Sequence, residues 1–89
     1  MTVLINHDYP LTDSLLVVDA TDQPVEGVVI KVYEYAAFTA NVVDVWVGET
    51  VSDIAGEWVD PVEVNDGETY VVHFQKYGDY GPNHVEITT

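Results

Sequence analysis

The stretch Val28-Val29-Ile30-Lys31-Val32-Tyr33-Glu34-Tyr35 decides the fold. β-Branched and aromatic residues favour the extended chain, and successive side chains of a strand point to opposite faces. Val28, Ile30 and Val32 therefore share one face, and Val29, Lys31 and Tyr33 share the other. The first set is wholly apolar and is expected to face a core. The second is mixed, so Val29 and Tyr33 are expected to meet another element or a partner.

Working outward, no segment sustains an apolar stripe of helical period. Upstream, Asp19-Ala20-Thr21-Asp22-Gln23-Pro24 reads as a turn built on Asx hydrogen bonding, preceded by the apolar run Leu15 to Val18. A first short run, Val3 to Ile5, ends at the breaker cluster Asn6-His7-Asp8-Tyr9-Pro10. Downstream, Ala36 to Asn41 fits a loop or a single helical turn. Strand character is expected to resume over Val42 to Val47, with Trp46, and over Glu49 to Ser52. Asp53-Ile54-Ala55-Gly56 reads as a tight turn into Glu57-Trp58-Val59, and Pro61 places the next strand at an edge or bulge. Asn65-Asp66-Gly67 is a hairpin signal leading into Thr69 to Lys76. A loop over Tyr77 to Asn83 and a last strand over Val85 to Ile87 complete the chain. Seven or eight short strands make an all-β, two-sheet sandwich. It is expected to be a single domain over 1–89, with 1–12 as a candidate N-terminal arm.

The order of motifs resembles a known family. Asp22-Gln23-Pro24-Val25-Glu26-Gly27 leading into the Val28 strand resembles the opening of carboxypeptidase-regulatory-like and Cna-B-type domains. Ser52-Asp53-Ile54-Ala55-Gly56-Glu57-Trp58 is similar to their Thr-Asp-x-x-Gly-x-aromatic turn, and Asp66-Gly67-Glu68-Thr69-Tyr70-Val71-Val72 to their Gly-x-Tyr-x-Val strand. The resemblance covers about residues 17 to 89 and implies an immunoglobulin-like or transthyretin-like sandwich used for adhesion, carbohydrate contact or assembly. It implies no reaction. The family's Lys–Asn isopeptide bond would fall on Lys31 and Asn83, but alternation turns Lys31 away from the core face where that bond lies. Transthyretin-like hydrolases use a His/Arg/His set and a Tyr-Arg-Gly-Ser tail, whereas this chain lacks arginine and ends Glu86-Ile87-Thr88-Thr89.

Composition narrows the partners. Of 89 residues 47% are hydrophobic and 11% aromatic, ordinary globular stock that argues against disorder. Sixteen acidic residues face only Lys31 and Lys76, for a net charge of −14, the wrong sign for phosphate backbones or anionic membranes. No cysteine is present, so thiolate metal sites and thiol nucleophiles are excluded. The opening MTVLINHDYP has neither the basic nor the long apolar region of a signal peptide, so synthesis in the cytoplasm is expected.

The remaining chemistry is sparse. Asp19, Asp22 and Asp53 lie in turns that could share one end of the sandwich, and such hard oxygen ligands would suit Ca²⁺. Asp at a turn is more often spent on its own backbone. His7, His73 and His84 have no zinc spacing, and neither Ser14 nor Ser52 sits in a nucleophile elbow. No catalytic set and no cofactor are expected. Trp58, Tyr70 and Phe74 read as core. Tyr77 and Tyr80, in the glycine-rich loop, read either as partner contacts or as rings packed over an end of the sandwich, and Val3 and Ile5 read as partner contacts if the first strand adds to a neighbour's sheet. The alternative for Val3 and Ile5 is the first strand of the domain's own sheet. The expected function is a non-enzymatic structural or interaction protein, such as a capsid decoration or small tail protein of a bacteriophage virion. Its expected partners are copies of itself or a capsid or tail protein. The alternative is a carbohydrate- or calcium-binding adhesion module.

Overall fold

The computed structural model describes residues 1–8, 15–41 and 45–89. Its elements are strands β1 (Thr2–Ile5) and β2 (Val29–Glu34), the short helix α1 (Tyr35–Thr39), and strands β3 (Gly48–Val51), β4 (Val62–Asn65), β5 (Thr69–Lys76) and β6 (Tyr80–Thr88). They form two antiparallel sheets, β1-β4 and β3-β2-β5-β6. The chain is an all-β two-sheet sandwich.

Alternation builds the core. From the larger sheet Ile30, Val32, Tyr70, Val72, Phe74 and Ile87 point inward, and from the smaller Ile5, Val62 and Val64 meet them. The connecting segments add Leu15, Val17, Val28 and Trp58. Each fully buried aliphatic side chain contributes about 1.5–3 kcal/mol over its exposed state. Val28, Ile30, Val32, Trp58, Tyr70 and Phe74 are inward as read from the sequence, whereas Ile5, read as a candidate partner contact, is buried with them.

Several elements differ from the sequence reading. Asn65-Asp66-Gly67 does not close a hairpin, because β4 pairs with β1 and β5 pairs with β2 and β6. The turn carries the chain from one sheet to the other. The Asn65 N–H donates to the Tyr70 hydroxyl at 2.8 Å and that hydroxyl donates to Glu68 Oε2 at 3.1 Å, so a buried tyrosine pins the crossing. The expected loop over Tyr77 to Asn83 shrinks to a tight turn, since β6 already begins at Tyr80. Val45 to Val47 form no strand, and 42–44 lie outside the described residues. Leu15 to Val18 contribute one isolated bridge, Val18 to Pro24, although Leu15 and Val17 are buried. Trp58 likewise enters by a single bridge, to Ser52.

Two turns share one construction. In Asp19–Gln23 and in Asp53–Glu57 the first residue's N–H donates to the fifth residue's carbonyl, at 2.9 and 2.8 Å, and its own carbonyl accepts from the fourth, at 3.1 and 2.9 Å. The first residue's carboxylate accepts from the third and fifth backbone N–H groups, at 2.8 and 3.1 Å for Asp19 and 2.9 and 3.0 Å for Asp53. The fourth residue takes a positive φ, 62° at Asp22 and 75° at Gly56. The Thr21 hydroxyl adds a bond to Asp19, and these bonds hold the Asp19 carboxyl below its usual value. Replacing Asp53 by alanine strips both N–H groups of their acceptor and is expected to cost about 1 kcal/mol in urea unfolding. No loss would show that the turn is held by its backbone bonds alone.

Candidate functional site on the outer face of the larger sheet

The larger sheet has a second face, turned away from the core, and its residues are fixed by register. Glu49 of β3 stands opposite Lys31 of β2, Lys31 opposite His73 of β5, and His73 opposite His84 of β6. One polar row thus crosses all four strands. The next row runs Tyr33, Val71, Glu86. Tyr33 is 4% exposed and Val71 2%, so this side is covered as well.

The cover comes from the segment whose structure the sequence left open. The Phe38 ring of α1 lies 5.4 Å from that of Tyr33, 6.4 Å from His73 and 5.1 Å from His84, measured between centroids. Trp46 meets Tyr33 edge-on at 6.5 Å, and the Lys31 ammonium sits 4.1 Å from the Trp46 ring centroid. Such a cation–π contact contributes about 0.5–1 kcal/mol at an exposed site. Burial, with smaller effects from Lys31 and His84, holds the His73 pKa below its ordinary value of 6.5, so the ring is neutral at pH 7. It then offers one N–H donor and one acceptor.

Phe38 covers only the middle of the face and leaves a cleft on either side. One, of about 560 Å³, is lined by Lys31, Tyr33, His73, Gln75 and Tyr77 among others. The second, of about 510 Å³, lies between Phe38, Val71, His84 and Glu86.

The residues singled out in the sequence are placed as follows. Tyr77 is 95% exposed on the rim of the larger cleft. Tyr80 is half-buried against the core and donates its hydroxyl to the Val18 carbonyl at 3.0 Å. Val3 packs partly against the core, and Ile5 is fully buried within it. β1 is therefore a strand of the domain's own smaller sheet, the alternative reading of that segment. Asp19 and Asp53 use their carboxylates within their own turns, and no three His, Asp or Glu side chains among the described residues form a group suited to a metal ion. The structure does not assemble the Asp19, Asp22 and Asp53 set. Lys31 lies on the outer face and Asn83, opposite the inward-facing Phe74, on the inner one, so they cannot join.

Ser52 and His7 have structural partners. The Ser52 hydroxyl accepts from the Val28 N–H at 2.9 Å and donates to the Val25 carbonyl at 2.7 Å. His7 accepts the Trp58 N–H at Nδ1, at 3.3 Å, while its Nε2 faces Asp8 at 3.4 Å and Glu57 at 3.3 Å. Those contacts fix the tautomer with the proton on Nε2.

Comparison with protein-family models, curated proteins and solved structures finds no match to this chain. The likeness to carboxypeptidase-regulatory-like and Cna-B-type domains therefore stands only at the level of a small β-sandwich.

Proposed function

We propose that the chain is a non-catalytic subunit of a larger assembly and joins its neighbours through the edge of β6. The carrying observation is that edge. β6 is nine residues long and has a partner, β5, on one side only among the described residues. An uncovered edge offers unpaired N–H and C=O groups to another strand. Between Tyr80 and Thr88 the only acidic residue is Glu86, in a chain of net charge −14. Two copies therefore meet little like-charge repulsion at this strand. Val85, opposite Val72 and on the inner side, is still 38% exposed, with no strand beyond β6 among the described residues.

The assembly we have in mind is a virion of a tailed bacteriophage, with the chain as a decoration or small tail subunit. Many copies on one particle turn weak edge contacts into firm attachment. The partner tested first is a second copy of the chain. Raising NaCl from 0.1 to 1 M shortens the screening length from about 10 to about 3 Å and removes most of the repulsion between copies. Sedimentation equilibrium is expected to show association at least tenfold tighter at 1 M. Val85→Lys, which places a charge on the inward side of an edge strand, should abolish it. A chain that stays monomeric to millimolar concentration in both salts, or association indifferent to Val85→Lys, would overturn pairing through β6.

A further inference from the structure

We propose that the cleft beside Lys31 binds a small aromatic monocarboxylate, its ring against Tyr33, Phe38 and Tyr77 and its carboxylate on the Lys31 ammonium and the His73 ring. The site is separate from the β6 edge and does not depend on it.

Three observations converge on that chemistry. The first is the state of Lys31. The chain holds sixteen acidic residues, yet among the described residues no carboxylate lies within 4.0 Å of the Lys31 ammonium. Glu49 stands directly opposite on β3, but the ammonium lies instead over Trp46, and among the described residues it donates no hydrogen bond to an oxygen. Secondly, His73 lies opposite Lys31, lines the same cleft and is neutral at pH 7, so it can donate one hydrogen bond to an oxygen held on Lys31. Thirdly, the rest of the lining is mainly apolar: Val29, Tyr33, Phe38, Tyr77 and Pro82. A cleft of about 560 Å³ lies within the range that takes a small organic ligand.

The charge and shape of the ligand follow. One ammonium and one neutral imidazole match a single negative charge, whereas a dianion would bring excess charge toward Glu49 in the same row. The distant acids are screened beyond about 10 Å at 0.1 M salt and do not exclude a monoanion. A sugar would need hydrogen-bond partners for most of its hydroxyls, whereas the described lining is mainly apolar. A flat ring instead uses the aromatic walls.

The test titrates the chain with indole-3-acetate and, separately, with the neutral indole-3-acetamide. NMR signals of His73 and the Trp46 indole are followed at 0.1 M NaCl, in the Val85→Lys background so that association does not intrude. The acid is expected to bind at least fivefold tighter than the amide, and its saturation to raise the His73 pKa, because a bound carboxylate favours the imidazolium. Lys31→Gln should bring the two affinities together, and Lys31→Arg should restore most of the difference. Equal binding of acid and amide to the unsubstituted Lys31 chain would reduce the cleft to an apolar pocket and overturn the proposal. So would the absence of binding by either to millimolar concentration, or shifts away from His73 and Trp46. The acid–amide comparison needs no substitution at Lys31, so it stands even if Lys31→Gln disturbs the fold.

Discussion

Replacing Trp58 by alanine is expected to bring the domain to the margin of unfolding at 25 °C. The indole is 5% exposed, donates Nε1–H to the Leu15 carbonyl at 3.0 Å and meets the Phe74 ring edge-on at 6.4 Å. Few regular ladder bonds hold this part of the chain. Leu15 to Val18 make an isolated bridge, and Trp58 itself joins the fold through one bridge and the His7 ring. The indole therefore connects segments that the sheets do not. Truncating a buried tryptophan costs about 3–5 kcal/mol, against a total of about 5–13 kcal/mol for a domain this size. Urea unfolding should show the midpoint falling by about 1.5–3 M. A loss below about 1 kcal/mol would mean that the core closes without the indole. Trp58→Phe keeps most of the volume but orphans the Leu15 carbonyl, and should cost about 1–3 kcal/mol.

The second large effect is expected at Gly56. Its φ is +75°, and a Cβ there would lie 2.5 Å from the Val17 carbonyl oxygen and 3.3 Å from the Pro24 Cβ. The Val17 N–H donates to the Gly56 carbonyl at 2.8 Å, so the two backbones are held close and neither can withdraw cheaply. Gly56→Ala combines a left-handed conformation costing about 1–2 kcal/mol with a backbone collision of about 1–3 kcal/mol. Gly67 is the control. Its φ is +78°, but a Cβ there meets nothing within 4 Å, so Gly67→Ala should carry only the conformational part. Thermal or urea unfolding of the two variants isolates the cost of the close approach as their difference. Equal losses would show that Gly56 is needed for its dihedral angle alone.

The alternation in Val28 to Tyr33 and in Tyr70 to Gln75 was enough to assign the inner face, because one side of each strand had to be apolar to bury anything. The same two strands also carried the trace of the outer site. Val29, Tyr33 and Val71 are apolar on a face that a plain sandwich leaves wet, and the structure places Tyr33 and Val71 under cover. What covers them was not legible. Tyr35 to Thr39 spans barely one helical turn, too short to show a period, and the position of Trp46 depends on contacts with Tyr33 and Lys31 made across the fold. Asn65-Asp66-Gly67 misled for a related reason. A turn sequence fixes local backbone angles, but whether the strands it joins share a sheet is settled by the Tyr70 hydroxyl and by the pairing of β5 with β2. Tyr80 reads as a partner contact because glycines on either side suggest a loop, yet β6 begins at Tyr80 and continues through Gly81 and Pro82.

The uncovered edge of β6 is the surface by which we propose that the chain joins its neighbours. Amide hydrogen exchange, read by NMR on the same sample at 0.1 and at 1 M NaCl, tests it most directly. Alternate amides between Asn83 and Thr88, those pointing away from β5, are expected to exchange quickly in the monomer and slow at least tenfold on association. The Val85→Lys chain should keep them fast in both salts. Association accompanied by new protection on β1 or β3, with the outward amides of β6 still fast, would contradict it.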